Sequence, residues 1–189
     1  MTQIENPPSP IIRSTTILAV RRKGSVTLAG DGQVTLGNMS IKHGTQKLRV
    51  LAGGKVLVGF AGSAADALTL FERLETKLEE NNHELLRAAV ELAKDWRTDK
   101  YMKNLEAMLL CADKEVTLTI SGTGDVITPD HDVMSIGSGS GYAFAAALAL
   151  MENTDLSSEE IALKAMKIAS ELCIYTNDHI ITKTITVQP

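Results

Sequence analysis

Six consecutive residues, Val56-Leu57-Val58-Gly59-Phe60-Ala61, carry no polar side chain, and the run is closed by Gly53-Gly54 on one side and Ser63 on the other. A run this short between turn residues reads as a strand. Side chains alternate between the two faces of a strand, so one that is apolar on both faces needs cover on both. The chain must therefore stack layers on either side of this segment.

The rest of the sequence supplies candidates for those layers. Short β-branched runs at 15–20 and 26–29 flank Lys23-Gly24, and another run covers 47–51. Ser63 stands three residues ahead of Asp66, a capping signal, and Ala67, Phe71, Leu74 and Leu78 then recur at helical spacing. A second helix is expected from about His83, with Leu85, Ala89, Leu92, Ala93 and Trp96 on one face. Strands return at 106–112 and 116–120 around an Asp113-Lys114 turn, and again at 133–136. The glycine- and serine-rich stretch 137–141 leads into a helix over 142–151. Ser157 and Glu160 form a capping box for another helix, with Ala162, Ala165, Met166, Ala169, Leu172 and Cys173 inward, and a final strand covers 180–187. Strands, two helices, strands, two helices, strand is not βαβα alternation. The expected class is α+β: two sheets face to face with helix pairs outside, a four-layer αββα sandwich.

Length and charge narrow the function without naming it. A chain of 189 residues fits one domain, and 44% hydrophobic residues suffice for a core without metals or disulfides. A net charge of −4 argues against nucleic acid or an anionic membrane as the main partner. No apolar run reaches the ~18 residues of a membrane helix. Two cysteines, Cys111 and Cys173, lie far apart without a secretory signal, which fits a reducing cytosol. Cys111 reads as a buried small hydrophobe rather than a nucleophile or bridge. The first fourteen residues stand apart, with prolines at 7, 8 and 10 and no apolar period. They read as a disordered tail, a cloning remnant or a segment removed from the mature protein, in each case outside helices and sheet ladders.

Most catalytic signatures are missing. His43, His83, His131 and His179 are scattered, and neither HExxH nor a Cys/His metal spacing occurs. There is no GxSxG elbow and no complete P-loop. The 137–141 loop could seat an anion on its amides, which leaves a nucleotide-binding module as a remote alternative. Glu72, Glu75, Glu79 and Glu80 form a solvated helix face, and Arg21-Arg22-Lys23 at a strand end are expected to face solvent. What remains is Thr15, where ordered structure is expected to begin. A threonine hydroxyl needs a base, and an N-terminal threonine carries one in its own α-amine, which titrates at ~7.7–8.0. Spacing alone does not show that the chain is cut before Thr15.

Read from Thr15, the sequence closely resembles the HslV (ClpQ) family of proteasome-like, N-terminal-nucleophile peptidases. The matching segments are TTILAVRR at 15–22, AGDGQVTLGN at 29–38, GFAGSAADALTLFERLE at 59–75 and AAVELAKDWRTDK at 88–100. ISGTGDV at 120–126, IGSGSGYAFAAALAL at 136–150 and CIYTN at 173–177 continue them in order. The resemblance implies an αββα sandwich over 15–189, and a threonine-type endopeptidase that cuts unfolded polypeptides within an ATP-dependent protease. By position it implies Thr15 as nucleophile, Asp31 and Lys47 as the charged pair beside it, Gly59 as an oxyanion amide, and Ser138 as support for the threonine amine. It implies a sodium ion on the backbone carbonyls of Ser170, Cys173 and Thr176, where the family often has glycine in place of Ser170. It also implies two stacked hexameric rings in the cytoplasm, activated by the AAA+ unfoldase HslU (ClpY). The family commonly begins Met-Thr-Thr, so here the resemblance implies removal of residues 1–14 by cleavage after Ser14. An uncut chain would be an inactive, structural ring member. The stretch 178–189 departs from the family pattern.

Overall fold

The computed structural model describes residues 12–13, 15–36, 39–102, 105 and 107–186. Among them, residues 12–13 form a short strand, β1 (Ile12–Arg13). β2 (Thr16–Arg22) and β3 (Ser25–Gly30) form a hairpin across Lys23-Gly24, both at positive φ, as a tight two-residue turn requires. β4 (Val34–Leu36) and β5 (Met39–Lys42) then pair with β1 in a small sheet of order β1-β4-β5. β6 (Leu48–Leu51) and β7 (Val56–Gly62) precede two helices, α1 (Ala64–Glu80) and α2 (Leu85–Thr98). β8 (Ala107–Ala112), β9 (Thr117–Ser121) and β10 (Val126–Ile127) complete an antiparallel sheet of order β10-β9-β8-β7-β6. β11 (Val133–Gly137), α3 (Ser140–Asn153), α4 (Ser158–Leu172) and β12 (Ile181–Thr186) follow, and the sheet that carries β2 has the order β11-β2-β3-β12.

Three apolar seams hold the layers together, and strand alternation decides which residue enters which. Val56, Val58 and Phe60 face α1 and α2, where Leu70, Leu74, Leu78, Leu92 and Trp96 are buried. Leu57 and Ala61, on the other face of β7, meet Ile17, Ala19, Val26 and Leu28 from the second sheet. Leu18 and Val20 turn the opposite way and pack under Ala143, Ala147, Ile161, Ala165 and Met166 of α3 and α4. The apolar run 56–61 is thus covered by helices on one face and a sheet on the other, and the αββα order is the expected one. The caps also form where the sequence placed them. Ser63 Oγ accepts from Asp66 N at 3.4 Å, and Ser157 and Glu160 make a reciprocal box.

Several features differ from the sequence reading. The β4–β5 hairpin was invisible because Leu36, Met39 and Ile41 are exposed and follow no clean alternation. Proline density stops at Pro10, and Ile12 and Arg13 do enter a ladder, opposite Leu36 and Thr35; residues 1–11 and 14 lie outside the described residues, as do 106 and 187 of the expected strands. Arg21 and Arg22 are half-buried rather than solvated. Arg21 donates to the Asp113 and Lys114 carbonyls, and Arg22 to those of Met151 and Thr154 at the end of α3. Cys111 is fully buried and its thiol is pushed up by desolvation, which makes it inert.

Candidate active site

Thr15 stands immediately before β2, buried, at φ 117°. Positive φ is unfavourable for a β-branched residue and costs about 1–3 kcal/mol, so the surroundings must impose it. Two contacts do so. The Thr15 carbonyl accepts from Ser138 N at 2.9 Å, and the amide that follows, Thr16 N, donates to Asp31 Oδ1 at 2.8 Å. Gly137, at φ 93°, makes the first contact feasible, because a Cβ there would lie 2.0 Å from the Thr15 carbonyl oxygen. The Thr15 hydroxyl itself is buried, and among the described residues it has no hydrogen-bond partner. An unpaired buried hydroxyl costs about 1–3 kcal/mol, and such atoms in native structures call for a chemical explanation.

Asp31 follows β3 and is buried. Its Oδ1 accepts from Thr16 N and from Lys47 Nζ at 3.1 Å; its Oδ2 accepts from Gln33 N at 2.9 Å and Asn177 N at 3.4 Å. Lys47, one residue ahead of β6 and equally buried, also donates to the Gln33 carbonyl at 2.6 Å. Burial pulls the Lys47 pKa below its ordinary value, and the neighbouring Asp31 charge opposes that shift. A buried ion pair is tolerable only when its remaining hydrogen-bonding capacity is filled, as it is here.

Behind these residues lies a layer of polar groups of which the sequence reading named only Thr176, and that one for its carbonyl. Thr16 Oγ1 pairs with Thr176 Oγ1 at 2.7 Å and accepts from Gly139 N at 2.9 Å. Gln33 Nε2 donates to Thr35 Oγ1 and to the Ile174 carbonyl. These are ordinary polar residues, which the matching segments contain without marking any of them as part of the site.

The structure brings Thr15, Asp31, Lys47 and the Ser138 backbone into one site. Gly59 has a different setting. It is paired with Leu48 on one side and Leu110 on the other, and a Cβ there would meet Ile17 Cγ2 at 2.7 Å. Phe60 N bonds towards Lys47, so the alternating amide of Gly59 points at Leu110 inside the ladder. Glycine at this position lets the two sheets approach closely.

Ser170, Cys173 and Thr176 lie together where α4 ends. The Cys173 carbonyl accepts Thr176 N at 3.0 Å and keeps a second lone pair. The last turn of α4 holds no basic residue, so the helix itself offers no side-chain cation to the negative end of its dipole. Carbonyl donors at such a helix end fit a hard monovalent cation. Among the described residues, no three His, Cys, Asp or Glu side chains gather as a metal site, and no helix is long and apolar enough to cross a membrane.

Two face-to-face sheets covered by helices on their outer faces define a proteasome-type fold, and a buried threonine stands at the head of one strand with a Lys–Asp pair behind it. The family described as Proteasome subunit matches residues 11–185. A protein named ATP-dependent protease subunit HslV from Aquifex aeolicus is 61% identical over 174 residues, covering 92% of this chain and 99% of that one. Its namesake from Treponema denticola is 58% identical over 174 residues, 92% of this chain and 98% of the other. The crystal structure of eukaryotic HslV from Trypanosoma brucei superposes with a TM-score of 0.87 at 47% identity, over 90% of this chain and 99% of that chain. The chain belongs to the proteasome-subunit family and, within it, to the HslV line.

Proposed function

We propose that this chain is the peptidase subunit of an ATP-dependent protease and cuts unfolded polypeptides through an N-terminal Thr15. The observation that carries the reading is the buried, unpartnered Thr15 hydroxyl on a strained backbone beside the Asp31–Lys47 pair. The names of the relatives, ATP-dependent protease subunit, support the same reading.

In this mechanism, cleavage after Ser14 frees the Thr15 α-amine. The amine takes the Oγ proton, directly or through a water, as Oγ attacks the substrate carbonyl carbon. Collapse of the tetrahedral adduct breaks the peptide bond and returns the proton to the departing amine. Water then hydrolyses the ester and restores the hydroxyl. The Lys47 ammonium disfavours a second positive charge nearby and so keeps the α-amine unprotonated near neutral pH. Asp31 holds Lys47 in place and, through Thr16 N, fixes the direction in which Thr15 enters the site. Ser138 supports the threonine from the other side.

The wider assembly belongs to the same proposal: two stacked hexameric rings in the cytoplasm, fed and activated by the AAA+ ATPase HslU, with sodium on the carbonyls of Ser170, Cys173 and Thr176. Bound there, the ion would supply positive charge at the end of α4. Exposed apolar residues on the outer helices, among them Tyr142, Leu163, Ile168 and Leu172, support burial between subunits. The pairing of Ile12–Arg13 with β4 favours a second reading, in which the extension stays on as part of an inactive ring member.

Intact mass of the purified protein, with peptide hydrolysis by the parent and Thr15→Ala, tests the proposal. Loss of residues 1–14 and an inactive Thr15→Ala are expected. An active protein that retains Met1 or Thr2 at its terminus would overturn the mechanism.

A further inference from the structure

The segment after α4 reaches back over both charged residues of the site. Within it, Asn177 is half-buried and makes contacts to two separate loops. Its side-chain Oδ1 accepts from Gly32 N at 3.1 Å, beside Asp31. Its Nδ2 donates to the His43 carbonyl at 2.9 Å, on the loop that leads to Lys47. Its backbone N–H donates to Asp31 Oδ2 at 3.4 Å, and Oδ1 also accepts from His179 N at 3.3 Å. Backbone donors face one end of the amide and a carbonyl faces the other, so a single orientation of the side chain satisfies all of them. The two loops also meet directly: Thr45 N donates to the Gly32 carbonyl at 2.9 Å, and Gly32 packs so closely on His43 and Gly44 that a Cβ there would lie 2.2 Å from the His43 carbonyl oxygen.

We propose that Asn177 is a positioning residue, a clamp that sets the separation of Asp31 and Lys47 by joining the 31–33 turn to the 43–45 loop. The inference rests on the reading of Thr15 as the nucleophile and adds a residue that touches neither substrate nor the reacting atoms. The clamp works through backbone groups, so the identity of the residues it grips matters little, whereas the amide of Asn177 matters at both ends. Asparagine is the residue type that offers one acceptor and one donor at this reach. Aspartate has the same shape but would set an oxygen against the His43 carbonyl and add a negative charge close to Asp31.

The test uses the full-length chain, expressed and assembled as the parent is, with a short fluorogenic peptide as substrate and the activating ATPase present. Asn177→Ala and Asn177→Asp should each lower kcat about 10-fold or more, because small misplacements of catalytic groups cost rates of that order. KM should stay within about 2-fold, since the peptide does not touch the clamp. Asn177→Ser covers the case in which the alanine variant fails to fold. A side chain that only fills space predicts that Asn177→Asp behaves as the parent, and that result overturns the proposal. So does a loss that falls on KM alone.

Thr15→Ala assayed alongside separates the two levels. If it is inactive, the kcat comparison decides. If it is as active as the parent, the reading of Thr15 fails, and the decision passes to the Lys47 side-chain signal in lysine-selective 13C NMR. A displaced Lys47 resonance in the Asn177 variants upholds the clamp, and an unmoved one overturns it.

Discussion

Lys47→Met removes the ammonium and keeps most of the volume. In the parent, Lys47 Nζ lies 3.1 Å from Asp31 Oδ1 and both side chains are almost wholly shielded from water. After the substitution Asp31 retains its three backbone donors, Thr16 N, Gln33 N and Asn177 N, but no counter-charge, and the Gln33 carbonyl loses its 2.6 Å bond. Breaking a buried pair on one side costs about 3–5 kcal/mol, most of it the uncompensated charge. In a chain of this size each kcal/mol moves the melting temperature by about 2–4 °C, so a fall of roughly 6–20 °C is expected. The double variant Asp31→Asn, Lys47→Met removes the stranded charge and should recover a large part of that loss, although neither variant should hydrolyse peptide. Thermal melts of parent, both singles and the double, at one protein concentration and pH, close the cycle. A cost below about 1 kcal/mol for Lys47→Met, or a double variant whose losses simply add, would refute the view of Asp31–Lys47 as a mutually dependent pair.

Four further outcomes follow from the same geometry. Thr16→Val keeps the shape but leaves Gly139 N and the Thr176 hydroxyl without their partner, which should cost about 1–3 kcal/mol in denaturant titration and reduce turnover. Gly59→Ala places a methyl group 2.7 Å from Ile17 Cγ2 between the sheets and should destabilise by about 1–3 kcal/mol, with Ile17→Ala in the same chain giving partial relief in the melting temperature. Because burial lowers the Lys47 pKa in the folded state, the unfolded chain binds more protons above that value, and the Lys47 contribution to stability rises with pH up to the unfolded value of 10.5. Denaturation followed from pH 8 upward should show this rise in the parent and not in Lys47→Met. Ser157→Ala removes the cap of α4 and should cost about 1 kcal/mol by the same titration, with peptide hydrolysis intact.

Much of the architecture was legible because it depends on side-chain period and caps. The run 56–61, the apolar spacing of 67, 71, 74 and 78, and the Ser157–Glu160 box each state a local rule that the fold obeys. What escaped has a common physical cause. The β4–β5 hairpin buries little, so it leaves no apolar alternation to read. Arg21 and Arg22 are as polar as any surface residue, and only the positions of the carbonyls at 113–114 and at the end of α3 show what they bind. In the site, Thr15 stood out as the place where ordered structure begins, whereas Asp31 and Lys47 came from resemblance, since nothing local sets Lys47 apart from a surface lysine. For Gly59 the resemblance implied an oxyanion amide, and only the packed structure shows how closely the two sheets approach at it. The backing groups Thr16, Gln33, Thr176 and Asn177 act through partners up to 160 residues away, a distance that no sequence window spans.

That last distance bears on when the protein becomes active during its own synthesis. Thr16 waits for the hydroxyl of Thr176, Asp31 for the amide of Asn177, and Thr15 for the amide of Ser138. Translation runs from the N-terminus, so Thr15 emerges from the ribosome well before residues 138, 176 and 177. A chain arrested anywhere short of residue 177 carries the threonine without the pocket that would make it reactive. On the proposed reading of Thr15, this order adds a second delay to the one that residues 1–14 impose on its α-amine.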